Sequence, residues 1–155
     1  MIDYLHILVA TDFSPVAEKA ACRASALAML IGAKLTLLHV LEHFPEDIPN
    51  YSIAPENIDP EKFYTELAHN KLIELRDNLC KEGSAEAAEV IVSTHIDVVV
   101  STHSAGREIS EYATRKNMDL IVLGTHGQRE FPGIAGSTAT NVLHTASADV
   151  LAVRL

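Results

Sequence analysis

Glycines at positions 124, 127 and 136, with the hydroxyl residues Ser137 and Thr138, are the part of this sequence best suited to chemistry. They follow the apolar run Asp119-Leu120-Ile121-Val122-Leu123. The chain then reads Gly124-Thr125-His126-Gly127, eight residues from Gln128 to Ala135, and Gly136-Ser137-Thr138-Ala139. Residues without side chains let a backbone approach a ligand closely. A helix opening just after them leaves unpaired N–H donors and a partial positive charge. That combination suits an anion. The same spacing also fits an ordinary strand–loop–helix connection in which glycines only make the turns. It is not a Walker A loop, because no lysine follows Gly136, and the glycines are too widely spaced for the G-x-G-x-x-G fingerprint.

Asp12 is the second candidate. It ends a first apolar run, Leu5 to Ala10, at the carboxyl edge where open parallel sheets bind ligands. It equally suits the N-terminus of the following helix, where a carboxylate is worth about 0.3–1 kcal/mol. The histidines offer less. His39 and His43 straddle a strand end rather than sharing a helix face, so no metal site is expected there. His103 reads as a loop histidine in water. His126 is the best-placed base but reads as a surface residue of the glycine loop, and Arg129 reads as solvated. Ser137 lacks the G-x-S-x-G setting of an activated nucleophile. With no lysine and no carboxylate pair near the loop, neither a catalytic residue nor a metal ligand is assigned.

The elements that must position these residues alternate along the chain. After the first strand, Ser14 caps and Pro15 opens a helix whose inward stripe is Ala17, Ala20, Ala24, Leu27 and Ile31, with Gly32 ending it. Lys34 to Val40 is a second strand. Glu42 to Pro60, with four of the chain's six prolines, reads as a long loop. Asp59-Pro60 opens a second helix with Tyr64, Leu67, the Lys71 stem, Leu75 and Leu79 on one face and Gly83 at its end. Ile96 to Val100 is a third strand, which Glu89 to Ser93 would extend. The next helix starts near Ser104 and turns Ile109, Tyr112 and Ala113 inward. Asp119 to Leu123, Ser137 to Ala146 and Asp149 to Leu155 complete a β-α-β-α-β-α-β-α-β order. Such alternation means a parallel sheet with helices on both faces and right-handed crossovers, an α/β fold.

At 155 residues the chain reads as one domain. A net charge of -9 argues against nucleic-acid or anionic-membrane partners, which select a basic face. Cys22 and Cys80 are far apart and outside any C-x-x-C, so they read as reduced thiols. The N-terminus runs directly into a strand with no cleavage site, and no apolar run approaches the roughly 18 residues of a membrane span. A cytoplasmic location is expected.

With these residues set out, the chain resembles the universal stress protein (UspA) family over nearly its whole length. The likeness is carried by Ile7-Leu8-Val9-Ala10-Thr11-Asp12-Phe13-Ser14, Leu37-Leu38-His39-Val40, Asp119 to Gly127, and Gly136-Ser137 ahead of Ala148-Asp149-Val150-Leu151-Ala152-Val153. The family's nucleotide-binding motif is G-x2-G-x9-G-[S/T]; here the second spacing is one residue shorter. The resemblance implies an open five-stranded parallel sheet of order 3-2-1-4-5, of the adenine nucleotide alpha hydrolase-like type. It also implies ATP or another adenine nucleotide as ligand, with or without Mg²⁺. Asp12 would meet the ribose hydroxyls, Val40 the adenine edge through its backbone, Leu123 the base and Gly124 the ribose. Gly127, Gly136, Ser137 and Thr138 would hold the phosphates. A homodimer through the last strand is implied too, since an apolar edge invites pairing.

Three functions compete on this reading: a nucleotide-binding regulatory module of the stress response, a slow ATP hydrolase, and a nucleotide-free dimeric interaction protein. A response regulator would need an aspartate where Ser101-Thr102-His103 stand. A flavodoxin would need a Ser/Thr/Gly-rich loop after the first strand.

Overall fold

The computed structural model describes residues 3–42, 55–81, 89–90, 93–125 and 137–155. In chain order the elements are β1 (His6–Ala10), α1 (Pro15–Ile31), β2 (Lys34–Glu42), α2 (Pro60–Lys81), β3 (His95–Ser101), α3 (Ala105–Arg115), β4 (Leu120–Gly124), α4 (Ser137–Thr145) and β5 (Asp149–Val153). The strands form one sheet of order β3-β2-β1-β4-β5, and every neighbouring pair is parallel. The fold class is the one the alternation of elements implies, and the strand order is the one the family resemblance implies.

Strand parity divides the core. Ile7, Val9, Leu35, Leu37, Leu120 and Val122 face the alanine stripe of α1 and the leucines of α2. Leu8, Ala10, Leu38, Ile121 and Leu123 face α3 and α4, where Ile109, Tyr112, Ala113, Ala139 and Val142 meet them. Central strands covered on both faces must be apolar at both parities, which is why β1 and β4 carry continuous apolar runs.

The ends of α1 follow from local chemistry. The Ser14 side chain accepts from the Ala17 amide, Pro15 occupies the first turn, and Gly32 closes the helix at φ 72°, the left-handed region that glycine enters without a Cβ penalty. The inward stripe differs at its end from the sequence reading, because Ile31 is 42% exposed. Seventeen helical residues span about 25 Å, whereas the five residues of β1 cover about 17 Å, so the last turn outruns the strands it covers.

In α2 the buried face is Ala68, Leu72, Leu75 and Leu79, not one running through Tyr64, Leu67 and Lys71, and Leu67 is exposed. The small Ala68 lets the helix lie close to the sheet, while the larger Leu67 misled the periodicity. β2 runs two residues beyond Val40, pairing Glu42 with Ser101 of β3. Glu89 and Val90 have helical backbone and do not extend β3. Cys22 is in no disulfide among the described residues. His43, Gly83 and the Cys80 side chain lie outside the described residues. No helix among the described residues is long and apolar enough to cross a membrane.

Candidate functional site

β1 and β4 are followed in the chain by helices on opposite faces of the sheet, β1 by α1 and β4 by α4. Neighbouring strands whose connections diverge leave a crevice at their carboxyl ends. A cavity of about 520 Å³ occupies it. Its apolar walls include Leu38, Val40, Ile109 and Leu123, and its rim carries Thr11, Asp12, Glu42, Ser137 and Thr138. That size and mixture suit a small molecule with an apolar part and a polar part.

Six of the sequence-predicted residues line this one cavity: Asp12, Val40, Leu123, Gly124, Ser137 and Thr138. Gly127 and Gly136 lie outside the described residues, as do His126 and Arg129. Ser137 and Thr138 open α4 at the cavity, where a helix start presents its unpaired amides. Thr125 fixes the other end of the glycine stretch, its amide donating to the Val153 carbonyl at 2.9 Å. Gly124 has a packing reason as well: a Cβ there would stand 2.8 Å from Val16 Cγ1.

The β1–α1 loop is tightly determined. The Thr11 amide continues the ladder to the Leu38 carbonyl at 3.0 Å. Phe13 N–H donates to Thr11 Oγ1 and Ser14 N–H donates to Asp12 Oδ1, each at 3.0 Å. Asp12 thus holds the amide of Ser14, the residue that caps α1, at the cavity rim. Phe13 lies in the left-handed region at φ 63°. For a bulky side chain that costs about 1 kcal/mol or more and persists only where surroundings impose it. His39 and Lys71 do so: the Phe13 and His39 rings lie 4.6 Å apart, and Lys71 Nζ stands 5.4 Å from the Phe13 centroid.

His39 Nδ1 lies 2.7 Å from the Thr11 carbonyl oxygen. A carbonyl only accepts, so Nδ1 carries the hydrogen. Burial holds the imidazole below the ordinary histidine range, outweighing the Thr11 hydrogen bond and the Asp12 charge that act the other way, and Lys71 depresses it further. The ring is therefore neutral near pH 7.

Sequence reasoning missed Glu42, assigned to a loop. Its Oε1 accepts the Ala105 amide at 2.8 Å and so ties the end of β2 to the start of α3 across the cavity. The apolar Leu41 after Val40 was the available signal. Among the described residues no group of three or more His, Cys, Asp or Glu side chains is arranged to hold a metal ion.

A family model described as the universal stress protein family matches residues 3–154. The Coxiella burnetii universal stress protein A homolog 1 is 33% identical over 150 residues, covering 97% of this chain and 96% of its own length. Among solved structures, the universal stress protein UspA from Lactobacillus plantarum aligns with TM-score 0.72 at 24% identity, over 99% of this chain and 100% of that one. The universal stress protein from Archaeoglobus fulgidus in complex with dAMP aligns with TM-score 0.60 at 19% identity, over 98% of this chain and 99% of that one.

Proposed function

The chain belongs to the universal stress protein family, and from that premise we propose that it is a regulatory module of the stress response that binds an adenine nucleotide of the ATP type. The observation that carries the reading is the cavity at the β1/β4 switch point, where an apolar slot, the Asp12 carboxylate and the start of α4 share one space. Each suits one part of a nucleotide. Val40 and Leu123 flank the base, Asp12 and Gly124 meet the ribose, and the amides of Ser137 and Thr138 take phosphate oxygens together with Gly127 and Gly136. The dAMP complex of the Archaeoglobus fulgidus relative supports an adenine nucleotide as the ligand class. Mg²⁺, where it takes part, arrives on the phosphates, as it commonly does with nucleotides. The module works in the cytoplasm as a homodimer joined through β5, where Leu151 is 39% exposed on an edge strand.

Calorimetric titration with ATP, ADP and AMP tests this. Micromolar affinity at best is expected, about -8 kcal/mol. Gly127→Val abolishes it by keeping backbone from phosphate. Absence of binding at millimolar nucleotide would leave the nucleotide-free interaction protein. Phosphate released over hours with Mg²⁺ would make it a slow hydrolase instead. A monomer by size-exclusion chromatography would remove the dimer.

A further inference from the structure

We propose that His39 is a positioning residue for the ligand's sugar, holding the Thr11–Asp12 peptide so that the Asp12 carboxylate stands at the cavity rim; this rests on the adenine-nucleotide reading. His39 shares the parity of Leu35 and Leu37 on β2, lies against Phe13 of the β1–α1 loop and borders the cavity beside Asp12. Its Nδ1–H holds the Thr11 carbonyl at 2.7 Å, and its ring lies against Phe13. The next two amides close the loop on itself, Phe13 onto Thr11 Oγ1 and Ser14 onto Asp12 Oδ1. The imidazole thus grips the residue before Asp12 through its carbonyl and the residue after it through its ring. Without that grip the left-handed Phe13 loses its ring contact on β2, and the Asp12 carboxylate loses its fixed bearing.

The charged groups around the ring are Asp12 from the loop and Lys71 from α2. Neither replaces the Nδ1 hydrogen: Asp12 accepts, and Lys71 stands over Phe13. Asparagine offers an amide hydrogen near the Nδ1 position. Leucine fills similar space and donates nothing.

The experiment compares AMP with 2′,3′-dideoxy-AMP on the full chain and on the folded variants His39→Leu, His39→Asn, Asp12→Ala and Asp12→Ala/His39→Leu. The parent prefers AMP by about tenfold, the worth of a hydrogen bond to a charged group. His39→Leu loses that preference while binding the dideoxy probe as the parent does, and His39→Asn recovers it. In the Asp12→Ala background His39→Leu changes nothing further. Equal weakening towards both probes, or losses that multiply in the double variant, would overturn the assignment. Amide hydrogen exchange supplies a readout that needs no ligand. His39→Leu speeds exchange at Phe13 and Ser14 at least tenfold over β1 amides, and unchanged exchange there overturns the grip. A parent that binds neither probe refutes the nucleotide reading, and with it the sugar role; exchange then decides only whether His39 holds the loop.

Discussion

Gly124→Ala separates two reasons for a glycine at the end of β4. Gly124 shares the parity of Leu120 and Val122, so its missing side chain would point at α1. A Cβ would stand 2.8 and 3.0 Å from the two Val16 methyls and 3.1 Å from the Val16 carbonyl carbon. Val16 is 3% exposed, and both of its methyls and its backbone meet the added carbon, so no single rotation of its side chain relieves the collision. The backbone of Gly124 is not in the left-handed region, so alanine suffers the collision alone. Overpacking of this kind costs roughly 1–3 kcal/mol, and the upper half is expected because one contact is with backbone. Val16→Ala on its own removes buried methyls for about 2 kcal/mol. In the double variant the new methyl enters the space the valine vacates. The combined loss should therefore fall short of the sum by about 1 kcal/mol or more. Urea unfolding of the four proteins measures this, with AMP titration alongside. Additivity within about 0.5 kcal/mol would refute the packing argument. Parental stability with lost AMP affinity would move the reason for the glycine to the ligand.

Glu42→Ala should destabilise the chain by about 1–2 kcal/mol in urea unfolding, since it removes a charged acceptor from the first turn of α3; Glu42→Gln should recover about half of that. Tyr112→Phe should cost about 1–2 kcal/mol at pH 7 through the lost bond to Asp97, 2.9 Å long. Burial, the Asp97 hydrogen bond and the Asp97 charge all raise the Tyr112 hydroxyl well above its ordinary value, outweighing Arg115. The unfolded chain therefore ionises first. Stability is full below about pH 10 and falls as pH rises beyond it, and Tyr112→Phe should make that fall shallower in unfolding curves at pH 8 and 11. The residual slope belongs in part to Tyr4, which Asp149 also holds above its usual range.

Most of the fold was legible because its signals are local. Ser14-Pro15 and Gly32 bracket α1 by backbone chemistry alone, and the apolar runs of β1 and β4 announce strands covered on both faces. Faces of helices were legible only where the sizes of neighbouring residues agreed with the period. Ile109, Tyr112 and Ala113 turned inward as expected, but the bulk of Leu67 outweighed Ala68 in the pattern and lost to it in the packing. Of the candidate site, Asp12 and the start of α4 could be read from position along an element, while Val40, Leu123 and Gly124 came with the family resemblance. What depends on contacts across elements could not be read. His39 reaching Thr11, Glu42 reaching Ala105 and Val16 filling the place of a Gly124 side chain join residues 28, 63 and 108 positions apart.

Parity supplies the link between these hidden contacts and the visible site. Val40 and Leu123 point to the α3/α4 side and wall the cavity, while His39 and Gly124, their chain neighbours, belong to the α1 side. On that side His39 fixes the loop bearing Asp12, and the shortage of a side chain at Gly124 lets the first turn of α1 come down onto β4. At each strand end both neighbours border the cavity, and His39 and Gly124 also serve the mounting of α1. The two functions are coupled because successive residues of a strand face opposite ways. On the proposed nucleotide reading, a substitution at His39 should therefore move the Asp12 rim of the cavity more than its Val40 and Leu123 walls, and the sugar end of a nucleotide, not its base, should be the sensitive probe of the α1 side.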